Sequence, residues 1–485
     1  MQRRIDGGRP AVAVLSFGLA LAAGLLAAGL LAPSPARAVQ PYALSFADTR
    51  FDSADPEVRE QTLGLAARLD ASHVRIDAGW KGIAPVEPAD PANPADPAYR
   101  FADLDRSVTG AIERGLVPVI SFAGAPGWAE GPNRPRSAPP GTWKPDPRAL
   151  GQFARALVGR YDGTYPDPAR PGEVLPRVAI YEVWNEPTLS KFLTPQWSGT
   201  EPKSPEIYRR MLNSFAASAR AVQPDVKIIA GAMSPYGDGP GGLRMYPMRF
   251  LRELVCLRGR RALRRIPSCA RPSFDVLSSH PISPFGGPRA HAADPQDLAI
   301  ADLGELRRIL RAAERRGTLA PAPPRPMWVT EYWWETPPEN HEGTPSLRRQ
   351  ARWIAEAQLL FWKQRVPVAM LFQVIDEAFD PEEHWSTSWQ TGLYFHGGAP
   401  KPSLAAARFP VAAERRGRSH VYVWTRPPES GTLTFQRRVQ GSWRRVARVT
   451  ARAGVPLGRT IRMRRGGRLR AVIDGHTSYV YRQRG

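Results

Sequence analysis

The sequence predicts an α/β fold, a (β/α)8 TIM barrel followed by a small C-terminal all-β sandwich. Three observations carry that prediction. Short apolar, β-branched runs alternate with stretches of helical spacing through the region from Tyr42 to Arg408, and eight such runs can be counted. The runs are nearly continuous in their apolar character, as strands covered on both faces require. From about Ser419 the texture changes to short strand-like runs parted by Gly- and Pro-containing turns. A doubly wound open sheet is the competing architecture, but it needs no eighth strand, and no Gly-rich phosphate loop follows the first one.

In chain order, Tyr42–Ala47 reads as the first strand and Pro56–Leu69 as a helix with Leu63, Leu65, Ala66 and Leu69 at helical spacing. His73–Asp77 is the second strand, and the Pro-rich stretch Ala84–Ala98 is a rim excursion. Helix Leu104–Arg114 stops at Gly115, and Gly115–Phe122 is the third strand. Helix Leu150–Tyr161 precedes the fourth strand, Val178 to Val183. That strand runs into Trp184-Asn185-Glu186-Pro187, where the proline cannot continue a ladder. Next come helix Pro205–Val222, strand Val226–Gly231, a helix near Tyr246–Leu257 and strand Phe274–His280. Helix Asp297–Arg316, strand Pro326–Glu331, helix Ser346–Arg365, strand Val366–Val374 and a closing helix from Leu404 complete the alternation. The expected divisions are 1–38 as an export signal, 39–412 as the barrel and 417–485 as the sandwich.

The expected export signal rests on Arg3 and Arg4, an uncharged run from Ala11 to Ala32, and Ala36-Arg37-Ala38 as a small-x-small cleavage site. The run is long enough to consider an uncleaved anchor, but its Ala and Gly content favours cleavage after Ala38 and a soluble extracytoplasmic protein. In that compartment Cys256 and Cys269 are expected to pair, closing a short Arg-rich loop. Two cysteines without neighbouring histidines give no metal site, and the expected chemistry needs no cofactor. The formal charge is +22, yet only seven of the 67 basic residues are Lys, which points to a general preference for arginine. Attraction to an anionic surface or polysaccharide is the functional alternative. No nucleic-acid motif accompanies the charge.

Glu186 and Glu331 terminate the fourth and seventh runs, which lie on opposite walls of an eight-stranded barrel, at the rim where such barrels place their chemistry. Two facing carboxyls suit glycosidic bond cleavage, which needs one protonated and one ionised group. Glu331 is expected to attack the anomeric carbon and Glu186 to protonate the departing oxygen. Arg75 is suited to holding Glu331 ionised, Asn185 to binding the neighbouring sugar hydroxyl, and His280 to orienting a carboxylate or a hydroxyl. Trp80, Trp128, Trp143, Trp184, Trp333, Trp334, Trp385 and Trp389 fall in expected rim segments, where aromatic rings can stack on sugar faces. Trp333 and Trp334, directly after Glu331, are the expected subsite walls. Glu182 and Asp376 are weaker candidates, either of them able to reach the interior and pair with Arg.

These residues give the sequence a resemblance to the clan A glycoside hydrolases, the group that includes families 5 and 39. It is carried by Arg75 in His-Val-Arg-Ile-Asp, Asn185-Glu186-Pro187, His280, and Glu331 in Trp-Val-Thr-Glu-Tyr, with Thr391–Tyr394 and Pro400-Lys401-Pro402 closing the barrel. It spans roughly Tyr42 to Pro410 and implies a retaining mechanism, with Glu186 as acid/base and Glu331 as nucleophile. Two departures bear on the subsites. Members often show His-x-Tyr on the sixth strand where this chain has His280-Pro281-Ile282, so Tyr332 or another residue must supply that hydroxyl. Many end the eighth strand in Trp, where Phe372-Gln373 stands here. The implied partner is a poly- or oligosaccharide. The rival reading is a non-catalytic carbohydrate-binding or cell-envelope protein on the same scaffold.

Overall fold

In the computed structural model, which describes residues 42–283, 286–322, 324–338, 344–382 and 388–484, eight parallel strands close into a barrel. They are β1 (Ala43–Ala47), β2 (His73–Gly79), β3 (Val117–Ala123), β4 (Ile180–Val183), β5 (Lys227–Met233), β6 (Val276–Ser279), β7 (Met327–Tyr332) and β8 (Val368–Phe372). Each pairs with its sequence neighbours, and β1 pairs with β8 from Ala43 opposite Val368 to Ala47 opposite Phe372, which closes the ring. The expected (β/α)8 architecture is therefore the observed one.

The connecting helices are α1 (Pro56–Arg68), α2 (Ala102–Glu113), α3 (Pro147–Arg160), α4 (Ser204–Val222), α5 (Pro247–Leu254), α6 (Leu303–Arg315), α7 (Leu347–Lys363) and α8 (Pro402–Arg408). Their starts follow local chemistry. Asp55 caps α1 by accepting the Glu57 amide at 2.9 Å, and Asp146 caps α3 by accepting that of Ala149 at 2.8 Å. In both a proline occupies the first turn, where its missing N–H costs nothing. The helix expected from Asp297 starts only at Leu303, because Ile300–Asp302 winds as a 3-10 turn.

Inside the barrel, Val119, Ile180, Ile229, Val276, Val368 and Met370 form an apolar plug. A polar layer lies above it at the C-terminal ends of the strands. Two irregularities shape that layer. On β5, Gly231 has φ +121°, and a Cβ there would lie 2.3 Å from the Ser278 carbonyl oxygen, so only glycine fits. On β7, Val329 faces Ala369 and Tyr332 faces Leu371, so Thr330 and Glu331 together oppose the single residue Met370. This is a bulge, and its extra residue lets two successive side chains turn inward where strict alternation would send one out.

The C-terminal region is antiparallel. Strands β9 (Val411–Arg416), β10 (His420–Thr425) and β13 (Leu457–Arg462) form one sheet. Strands β11 (Gly431–Val439), β12 (Ser442–Ala451), β14 (Gly467–Ile473) and β15 (Tyr481–Gln483) belong to the other. Val421, Val423, Leu433, Phe435, Leu469 and Ile473 make their common core, to which α7 contributes Leu359. Cys256 and Cys269 form a disulfide that closes the hairpin loop between α5 and β6. The expected export signal and Trp385 lie outside the described residues. No helix among the described residues is long and apolar enough to cross a membrane.

Candidate active site

The rim layer is organised around Arg75, which rises from β2 and is 3% exposed. Its Nη2 lies 2.7 Å from Glu331 Oε1, and its Nη1 lies 3.7 Å from Glu182 Oε2. Asp77, two residues on and hence on the same strand face, accepts from Nε at 3.1 Å and from Nη2 at 3.2 Å. Burial works against the guanidinium charge, but Asp77, Glu331 and Glu182 outweigh it and hold the Arg75 pKa above its ordinary value.

His280, just past β6, is fully buried between the two predicted carboxylates. Its Nδ1 stands 3.1 Å from Glu186 Oε1 and 3.7 Å from Glu331 Oε2. Those two oxygens are therefore no further apart than the sum of the distances, 6.8 Å. Its Nε2 faces Arg75 Nη1 at 3.4 Å, a donor only, which places the imidazole proton on Nδ1. Burial lowers the His280 pKa, yet the Glu331 charge and the hydrogen bond to and charge of Glu186 prevail and raise it.

The backbone bends sharply to deliver Glu186. Strand β4 begins at Ile180, later than expected, and ends at Val183, and Trp184 and Glu186 take φ of 71° and 37° on either side of Asn185. Non-glycine residues at positive φ are uncommon and cost free energy, so the packing beneath must hold them. Trp184 supplies that packing, being fully buried with its Nε1 donating to the Phe192 carbonyl at 2.9 Å. Asn185 Oδ1 is buried and accepts no hydrogen bond among the described residues. An acceptor left this way costs about 1–3 kcal/mol unless a ligand satisfies it.

Glu182 lies beneath the carboxylate pair, fully buried and paired with Arg75 as the interior placement expected. Its Oε1 accepts from Thr330 Oγ1 at 2.8 Å. Burial raises its pKa despite the Arg75 charge, so desolvation dominates. Asp376 is also buried, but its partner is Lys401 at 2.7 Å and not an arginine. It also accepts the Gly392 amide at 2.9 Å, which ties the Thr391–Tyr394 and Pro400–Pro402 segments to the end of β8. This is a structural anchor.

Arg75 and His280 are buried against the carboxylates, Arg75 on Glu331, which it was expected to hold ionised, and His280 on Glu186, one of the groups it was expected to orient. Other expected roles need correction. Trp334 is 1% exposed, with Nε1 donating to the Ser283 carbonyl at 2.9 Å and its ring against Trp353 of α7, so it is no subsite wall. Tyr332 cannot supply the missing hydroxyl, because it points into the helical layer against Phe361. Trp80 is buried on Phe153 at 5.3 Å, a packing role. Trp333 does turn to the barrel mouth, where Trp389 stands 5.0 Å from it and 6.2 Å from Phe372. Glu377 accepts the Trp389 amide at 3.1 Å and fixes that ring beside the end of β8, where the sequence itself lacks a tryptophan.

Two further residues escaped the sequence reading. Tyr236, 39% exposed after β5, is raised in pKa chiefly by burial, with the Glu186 charge among the causes. Asp52 is pushed up to about 8 by burial and then by the charge of Asp77. Among the described residues no cluster of three or more His, Cys, Asp or Glu is placed to hold a metal ion.

No protein-family model matches the chain, and no curated protein sequence does. Solved structures do match in shape. One is a family 39 glycoside hydrolase from the gut symbiont Bacteroides cellulosilyticus WH2, with a TM-score of 0.52 at 17% identity, covering 87% of this chain and 81% of that one. Another is a glucosidase from Croceicoccus marinus, with a TM-score of 0.51 at 12% identity, covering 88% and 94%. The chain shares with these enzymes the (β/α)8 barrel fold.

Proposed function

We propose that the protein is a retaining glycoside hydrolase acting on a poly- or oligosaccharide outside the cytoplasm, with Glu331 as nucleophile and Glu186 as acid/base. The observation that carries this reading is the convergence of both carboxylates on His280, within 6.8 Å of one another. Retaining enzymes hold their two carboxyl groups about 5–5.5 Å apart and inverting ones about 6.5–9.5 Å, and the short bound on this oxygen pair supports the retaining reading.

In the first step an oxygen of Glu331 forms a bond to the anomeric carbon while the bond to the leaving oxygen breaks. Glu186 gives its proton to that oxygen. In the second step Glu186 takes a proton from water, the water oxygen bonds to the anomeric carbon, and the ester to Glu331 breaks. Arg75 holds Glu331 from one side at 2.7 Å, and the Nδ1–H of His280 orients Glu186. Asn185 offers its unpartnered oxygen to the sugar hydroxyl beside the reacting carbon. Trp333 and Trp389 give one face of the mouth an aromatic wall suited to a sugar ring. The disulfide suits an oxidising compartment, and the N-terminal export pattern agrees with it.

A panel of aryl glycosides and polysaccharides, assayed with purified protein, tests this reading. On any active substrate Glu331→Ala should abolish turnover without loss of fold. Glu186→Gln should slow it by roughly 10²–10⁴-fold, most on poor leaving groups. Rates near wild type for Glu331→Ala would refute the assignment.

A further inference from the structure

Between Gly417 and Gly485 the chain carries 16 arginines, no lysine and two acids, leaving 51 of the 67 basic and 43 of the 45 acidic residues for the rest. A preference for arginine over lysine accounts for the residue type. It does not account for the missing acids.

These arginines are organised. Three adjoining depressions, of about 590, 580 and 400 Å³, run along the C-terminal sheets and the edge of α7. The first two share Arg352, Gln483 and Arg484, and the last two share Gly467 and Arg482, so they form one groove. Arg416, Arg438, Arg468, Arg482 and Arg484 line it and are exposed, and none pairs with a carboxylate among the described residues. The acids along it are already matched. Glu414 takes Arg289 and Lys363, each at 2.8 Å, and Glu356 takes Arg352 at 3.0 Å.

Cross-strand register adds a second observation. Arg468 on β14 stands directly opposite Arg482 on β15, and Arg437 opposite Arg444. Like charges facing one another this way destabilise a sheet unless a counter-ion lies between them. Trp443 sits at one end, with Arg470 4.3 Å and Arg438 6.0 Å from its ring.

We propose that this groove binds an extended polyanionic polysaccharide, one bearing carboxylate or sulfate groups along its length. Strands about 4.8 Å apart present guanidinium stems at intervals close to the length of a sugar ring, and arginine forks match carboxylate and sulfate oxygens. The concave, elongated shape fits a chain better than a flat membrane. Single-stranded nucleic acid needs a series of stacking rings, and here the described lining offers a half-buried Trp353 and a buried Tyr481, with the half-buried Trp443 at one end. This binding does not depend on the catalytic reading.

The test measures affinity of the full chain for polygalacturonate and heparin, with dextran, an oligo-dT strand and phosphatidylglycerol vesicles as comparisons. Wild type should bind at least one of the two anionic polysaccharides more tightly than all three comparisons, and less tightly as salt rises. The triple variant R438Q/R468Q/R482Q should bind at least roughly tenfold more weakly, while E331Q binds as wild type does. Equal binding to dextran, tighter binding to the oligonucleotide or vesicles, or an unchanged triple variant would overturn the proposal. Should the triple variant misfold, salt-insensitive binding by wild type would overturn it equally.

Discussion

Arg75 on β2 and Glu331 on β7 meet at 2.7 Å across the mouth of the barrel, although their strands are not neighbours. The contact exists because the β7 bulge turns Glu331 inward together with Thr330. It makes Arg75 the hub on which both the candidate nucleophile and the buried Glu182 depend.

Replacing Arg75 by Met should therefore harm folding as well as rate. It leaves Glu182 fully buried with its charge uncompensated, a situation that costs about 3–5 kcal/mol. Adding Glu182→Gln should restore much of the stability but not the activity. Denaturant unfolding of the two single variants and the double variant checks this, as the coupling between neighbours in such a cycle is direct. Additive losses would show that the pair is not interacting.

Asn185 should behave in the opposite way. Its Oδ1 has no partner in the described structure, so Asn185→Ala removes no internal hydrogen bond there and relieves a buried unsatisfied acceptor, which should leave stability unchanged or raise it by up to about 1–3 kcal/mol. On any active substrate, kcat/KM should fall by at least roughly tenfold, through the lost hydrogen bond to sugar. Thermal unfolding and steady-state kinetics on one preparation separate the two effects.

Stability should decline as pH rises through neutrality. Asp52, raised from 3.8 to about 8, binds its proton more tightly when folded, so its contribution is complete below 3.8 and is lost as pH rises through about 8. His280, raised above its ordinary 6.5, has the same sign and loses its contribution above that value. His73, lowered to about 4 by burial, acts oppositely, but mostly between 4 and 6.5. The unfolding midpoint should accordingly fall between about pH 6.5 and 8, and Asp52→Asn should flatten the slope. A midpoint that rises over this window would contradict these shifts.

The barrel was legible because its strands are short apolar runs between well-capped helices, a pattern fixed by burial on both faces. The pair Arg75 and Asp77 was half legible. Their spacing of two on a strand puts both on one face, a signal that identifies Asp77 once Arg75 is singled out. Adjacency misled at Trp333 and Trp334. Successive residues point to opposite sides, so one faces the mouth and the other packs under α7. Tyr236 and Trp389 come from loops, and their approach to the site depends on loop course, which no periodicity encodes. The bulge at Glu331 was likewise invisible, since an extra residue in a strand leaves no mark in composition.

The most direct measurement is covalent trapping. The protein is incubated with a 2-deoxy-2-fluoro glycoside of a sugar it cleaves, carrying a good leaving group, and the labelled peptide is found by mass spectrometry. A single sugar esterified to Glu331 is the predicted result. A label on Glu186, or an unlabelled protein that releases product of inverted configuration, would contradict it.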